Sequence, residues 1–179
     1  RNLEIYAVNL TDGYIRALTY RFGPDNNPKI SPDGKLIAYT GSDDKRMGYH
    51  NNSLYVMNID GSNVRNMTQS LDRSVGTFHW SGKAVYFQYT DLGSNKVSRV
   101  SMAGDIYEIS SGVSGTSFGR PYAGGTFNVS ADGTIAMTYA TAMDQANIGV
   151  ADRRSGDVTQ ITDINAELLD HRKLGTVEE

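Results

Sequence analysis

The chain has no cysteine and only three histidines among its 179 residues. The first absence excludes disulfides, Cys-ligated zinc and a thiol nucleophile. It names no compartment, because periplasmic proteins also do without cysteine. His50, His79 and His171 are scattered and form no His-Glu-x-x-His pattern, so no metal or other cofactor is expected. A basic excess is missing too: 17 Lys and Arg against 20 Asp and Glu give a net charge of -3. Phosphate-backbone binding needs the opposite sign, so no nucleic-acid partner is expected. No apolar run approaches the length that would cross a bilayer as a helix, and no membrane partner is expected. What remains is a composition with 39% hydrophobic and 21% charged residues, enough to build a sizeable core.

The chain opens at Arg1, directly before the strand-like Leu3-Glu4-Ile5-Tyr6-Ala7-Val8, with neither an initiator Met nor a signal sequence. It reads as a piece of a longer protein, which leaves its compartment open between cytoplasm and periplasm.

Internal repetition dominates the rest. Ile5–Leu10, Leu54–Ile59, Val97–Met102 and Ile148–Arg153 align, each followed by a glycine turn at Gly13, Gly61, Gly104 or Gly156. A second strand follows each turn and ends on a hydroxyl. Those hydroxyls, Thr19, Thr68, Ser110 and Thr162, stand 49, 42 and 52 residues apart. The turns at Ser31-Pro32-Asp33-Gly34, Trp80-Ser81-Gly82 and Ser130-Ala131-Asp132-Gly133 precede a further set of apolar strands. Glycine suits such turns because they need positive φ.

A 3.6-residue period is absent, so the repeats are hairpins. Their strands are apolar on both faces, as in Leu54-Tyr55-Val56-Met57 and Ala84-Val85-Tyr86-Phe87. Antiparallel sheets with one wet face would alternate instead. Sheets covered on both sides and repeated at this period are the pattern of β-propeller blades. The predicted fold class is all-β, with four-stranded antiparallel blades. A half blade covers residues 3–19, and blades follow at about 20–68, 69–110 and 111–162. Arg16, Arg65, Glu108 and Thr159 fall where an outer strand should be wet. Residues 163–179 leave the repeat. A short helical turn capped by Asn165 is expected there, followed by a charged exit linker.

Residues 28–68, and less closely 126–162, resemble the propeller repeats shared by TolB and the prolyl oligopeptidase family of serine peptidases. The resemblance rests on Ser31-Pro32-Asp33-Gly34-Lys35-Leu36-Ile37-Ala38-Tyr39, Leu54-Tyr55-Val56-Met57-Asn58-Ile59-Asp60-Gly61-Ser62 and Asn66-Met67-Thr68. Residues 69–110 depart from it, because Trp80-Ser81-Gly82 lacks the Pro and Asp. Leu168-Leu169 and Arg172-Lys173-Leu174-Gly175-Thr176-Val177-Glu178-Glu179 look like the junction to an α/β-hydrolase domain in acylaminoacyl- and dipeptidyl-peptidase-like members.

The resemblance implies that catalysis lies on a hydrolase domain of the same polypeptide, outside this chain. The propeller would gate the entry of short peptides, and the fragment itself would be inactive. The alternative is a TolB-like interaction scaffold with no enzyme attached. Three and a half blades do not close a ring of the usual size, so exposed faces, homodimerisation or strand exchange are expected.

Gly115-Thr116-Ser117-Phe118-Gly119 satisfies the nucleophile-elbow pattern, but Arg120-Pro121-Tyr122-Ala123-Gly124-Gly125 cannot start the helix that an elbow needs. No catalytic residue is assigned. His79-Trp80 reads as a packed blade corner. Asp25-Asn26-Asn27 and Asp43-Asp44-Lys45-Arg46 lack the spacing of a calcium loop and read as solvated loops. The long connection 41–52 carries Arg46, Tyr49 and His50, the candidates for lining a substrate entrance or a domain interface.

Overall fold

The computed structural model describes residues 2–115, 124–141, 143–144 and 147–175. The hairpin β1 (Tyr6–Val8) and β2 (Ile15–Ala17) comes first. A four-stranded sheet follows, formed by β3 (Asp25–Ile30), β4 (Leu36–Gly41), β5 (Ser53–Asn58) and β6 (Arg65–Asn66). The next run is β7 (Val75–Ser81), β8 (Ala84–Asp91), β9 (Ser94–Val100) and β10 (Ile106–Val113). The last is β11 (Phe127–Val129), β12 (Ile135–Tyr139), β13 (Asn147–Ala151) and β14 (Val158–Gln160). Neighbours in each run pair antiparallel in sequence order. A single pairing, Val113 with Tyr139, ties β10 to β12 and joins the last two runs into one sheet.

Turn chemistry sets the strand ends. Asp33 accepts from the Lys35 N–H at 3.2 Å and from the Ser31 hydroxyl at 2.7 Å, while the Gly34 N–H reaches the Ser31 carbonyl at 2.9 Å. The turn at Ser130 copies this bond for bond. Asp132 accepts from Ser130 and from the Thr134 N–H, and the Gly133 N–H reaches the Ser130 carbonyl at 3.1 Å. Gly34 and Gly133 hold φ of 72° and 90°, where a β-carbon is strained.

Alternation along each strand sends neighbouring residues to opposite faces, and both faces of the sheet β3–β6 and of the run β7–β10 are buried against another run of strands. Ile37, Tyr39 and Met57 pack towards β1–β2 with Ile5 and Leu18. From the other face of the same sheet, Ala38, Leu54 and Val56 pack onto Val75, Phe78, Val85 and Phe87. Tyr86 and Val97 in turn meet Phe127, Ile135, Met137 and Ala151. The hydrophobic core is therefore three separate layers between stacked sheets. That is why the strands read apolar on both sides.

The repeated hydroxyls have a common task. Thr19 Oγ1 accepts from the Ile5 N–H at 3.0 Å, Thr68 Oγ1 from the Leu54 N–H at 2.9 Å, and Thr162 Oγ1 from the Ile148 N–H at 2.8 Å. Each clips the outer strand of a hairpin to the start of the strand before it. Ser110 does not. The ladder between β9 and β10 shifts register between Glu108 and Ser110, and the buried Ser110 hydroxyl has no partner among the described residues.

Several expectations need correction. Leu3 stands outside β1, because its carbonyl accepts from the Asp25 N–H at 2.9 Å and the chain bends towards β3. Arg65 is half-buried rather than wet: its Nη1 donates to the Met102 carbonyl of the next sheet at 2.7 Å. Arg16, at the matching repeat position, is exposed and donates to the Asp60 carbonyl at 2.8 Å. Asp25 is no solvated loop residue; it begins β3 and is buried. The helical turn is present as α1 (Ala166–Leu169), but the Asn165 side chain makes no capping bond. The elbow residues 116–119 and the end of the tail at 176–179 lie outside the described residues.

Candidate functional site

A cleft of about 960 Å³ opens where the β1–β2 hairpin stacks on the sheet β3–β6. Its floor is aromatic: the rings of Tyr39 and Tyr55 stack at 5.3 Å between centroids. They are cross-strand partners on β4 and β5, which brings their β-carbons within contact range. The Arg21 guanidinium lies over the Tyr55 ring, 4.0 Å from its centroid.

Arg21 also pairs with Asp25, four residues on, and sits 3.6 Å from Asp43. Gly41 makes room for this pair, since a β-carbon there would collide with both the guanidinium and the carboxylate. Burial pushes the Asp25 carboxyl above the ordinary carboxylate range, and Arg21 only partly offsets that. Burial, reinforced by the nearby Asp25 charge, raises the Tyr39 phenol as well.

Of the three candidates in the long connection, Tyr49 and His50 line this cleft. Arg46 is not among its walls; it takes φ of 56° and its N–H donates to Asp44 at 2.7 Å. His50 Nε2 accepts from the Lys45 N–H at 3.1 Å, so this imidazole staples its own loop and offers no free base on that nitrogen. His79 is packed edge-on against Phe127 at 5.1 Å. Burial and the Lys29 charge depress its pKa, which keeps it neutral at neutral pH.

Arg21, Asp25, Tyr39 and Tyr55 were not picked out from sequence. A signal was there. The cross-strand pair Asp25–Gly41 occupies the place that Val75–Tyr89 fills one sheet later, so a charge and a glycine stand where the repeat has two apolar residues. The cleft mixes cations (Arg21, Lys45), carboxylates (Asp25, Asp43, Asp72) and tyrosines. Such walls offer hydrogen-bonding groups and ring faces.

No protein-family model matches the chain. Dipeptidyl-peptidase 5 of Porphyromonas gingivalis is 32% identical over 91 residues, which are 48% of this chain and 13% of that protein. Among solved structures, TolB from Acinetobacter baumannii matches with a TM-score of 0.58 and 24% identity, over 89% of this chain and 38% of its own. The β-propeller domain of the Trilobed protease from Pyrococcus furiosus gives 0.64 and 23%, over 96% and 46%. The acylaminoacyl peptidase of Pyrococcus horikoshii gives 0.66 and 22%, over 91% and 23%. The chain thus spans less than half the length of each. Its stacked antiparallel sheets are consistent with the β-propeller fold, and its likenesses include TolB-like propellers and peptidases.

Proposed function

We propose that the chain is the non-catalytic propeller portion of a serine peptidase of the prolyl oligopeptidase family. In this reading β1–β2 is a half blade within residues 3–19, and blades follow at about 20–68, 69–110 and 111–162. Residues 163–179 lead towards an α/β-hydrolase domain encoded in the same polypeptide. The propeller packs on that domain and gates the access of short peptides to it. The observation that carries the reading is the 32% identity with a dipeptidyl peptidase. The polar, tyrosine-floored cleft is a surface on which a peptide's backbone and side chains find partners.

The second reading is a TolB-like scaffold for protein–protein contacts, favoured by the 24% identity with TolB over 89% of the chain. The reading frame beyond Glu179 separates the two. About 250 further residues with a Gly-x-Ser-x-Gly between a strand and a helix support the peptidase. A stop codon supports the scaffold. In either case the isolated chain hydrolyses no aminoacyl or acyl-aminoacyl reporter. Turnover that is lost in Ser117→Ala would overturn both readings.

A further inference from the structure

A second cleft, of about 380 Å³, lies away from the first, between β8 and β9 and the turn that joins β11 to β12. Tyr86 and Arg99 are direct cross-strand partners, so their side chains leave the same face of the sheet. Tyr86 is only 7% exposed, yet its hydroxyl has no hydrogen-bond partner among the described residues and its side chain lines the cleft. Gly133 keeps that opening clear: a β-carbon there would stand 2.9 Å from the phenolic oxygen.

Arg99 makes no ion pair among the described residues. Its guanidinium leans on the Tyr107 ring at 5.2 Å, and its buried Nε is unsatisfied. Lys83, on the exposed β7–β8 turn, is likewise unpaired among the described residues. Ser81 and Ser101 complete the polar wall. Asp132 is the one carboxylate on it, and its Oδ1 accepts from Ser130 and from the Thr134 N–H. Two cations and a phenol line one cleft here, and the buried Arg99 Nε, a donor without an acceptor, is costly.

We propose that this cleft is a binding site for a small oxyanion group, a carboxylate or a phosphate, taken by Arg99 and Lys83 and oriented by the Tyr86 hydroxyl. Guanidinium and ammonium donors to an oxyanion form the shorter, stronger class of hydrogen bond, and a phenol at the base of the cleft fixes one oxygen. The site is independent of the Arg21 cleft and of any peptidase activity.

The test is an amide NMR titration of the full chain, with sodium phosphate and sodium acetate in separate arms and ionic strength held by chloride. Saturable shifts of the Ala131, Gly133 and Ser101 amides are expected. Saturation by acetate alone identifies a carboxylate site, and saturation by phosphate alone identifies a phosphate site. Lys83→Gln, at an exposed position, should weaken binding about tenfold, the worth of one charge-assisted bond. Arg99→Gln should do the same or more. Asp132→Asn keeps the turn's acceptor but removes the repelling charge, and should tighten binding. Shifts that rise linearly with both anions, or a saturation curve unchanged in both Lys83→Gln and Arg99→Gln, overturn the proposal.

Discussion

Arg21 and Asp25 form an ion pair at a place in the sheet where the next sheet carries Val75. The Asp25 side chain is 1% exposed and that of Arg21 is 21% exposed. Taking such a pair out of water costs more than an apolar residue of similar size would, whereas removing one partner strands the other. Asp25→Ala should therefore destabilise the chain by about 3 kcal/mol or more in denaturant unfolding. Replacing both, Arg21→Met with Asp25→Val, should recover most of that loss. A single variant within about 0.5 kcal/mol of the native chain would show that the pair is not held in this geometry.

The hydroxyl clips give a cleaner comparison, because one member of the series is idle. Thr68→Val keeps the shape but leaves the buried Leu54 N–H without its acceptor. It should cost about 1–3 kcal/mol. Ser110→Ala removes a buried hydroxyl that has no partner among the described residues, and should be neutral or slightly stabilising. Equal losses at the two positions would mean that the hydroxyls serve the repeat in some other way.

The same contrast shows what was legible in the sequence. Glycine turns, strands apolar on both faces and recurring hydroxyls each follow from local chemistry, so the hairpins could be placed from residue types alone. The register shift before Ser110 could not, because Ile106, Ile109 and Ser110 match Val158, Ile161 and Thr162 in type. The donor role of Arg65 was hidden for another reason. An arginine on an outer strand looks solvated until the neighbouring sheet brings the Met102 carbonyl within 2.7 Å. In the larger cleft, the sequence singled out the long connection, of which Tyr49 and His50 reach the walls. It gives no role to Arg21 and reads Asp25 as a solvated loop residue, since the meaning of both depends on comparing them with the strand one repeat later.

Falling pH should protonate the buried Asp25 before it reaches the turns. Asp25 is held above the ordinary range by burial, so the folded chain binds its proton at higher pH than the unfolded chain. This group adds stability as pH falls and withdraws it as pH rises through the folded value. Asp33 and Asp60 are lowered by the Ser31 and Ser62 hydroxyls, and Asp152 by the Ser155 and Arg154 N–H groups. Asp132 is lowered to about 2, chiefly by the Ser130 hydroxyl. These four contribute stability above the ordinary carboxylate range and lose it as pH falls through their folded values. Unfolding curves of the native chain and Asp132→Asn should therefore differ at neutral pH and converge between about pH 4 and pH 2. A gap that stays constant down to pH 2 would contradict the assignment.

The first hairpin carries the chain's association hazard. In the sheet β3–β6, β5 is hydrogen-bonded on both edges, by β4 and β6. The matching strand β1 pairs among the described strands with β2 alone, and none of them covers its other edge. The register Tyr6 with Ala17 and Val8 with Ile15 puts these side chains on the face opposite Ala7, which packs into the core. Tyr6, Val8 and Ile15 are accordingly exposed, at 61%, 51% and 59%. An open edge beside an apolar face is a template for another strand. Light scattering on the chain as it stands should show mass rising with concentration. Val8→Lys places a charge on the edge strand, leaves the Ile5–Leu18 layer untouched and should hold the chain monomeric. A native chain that stays monomeric at high concentration would mean that this edge is closed by its own geometry and invites no partner.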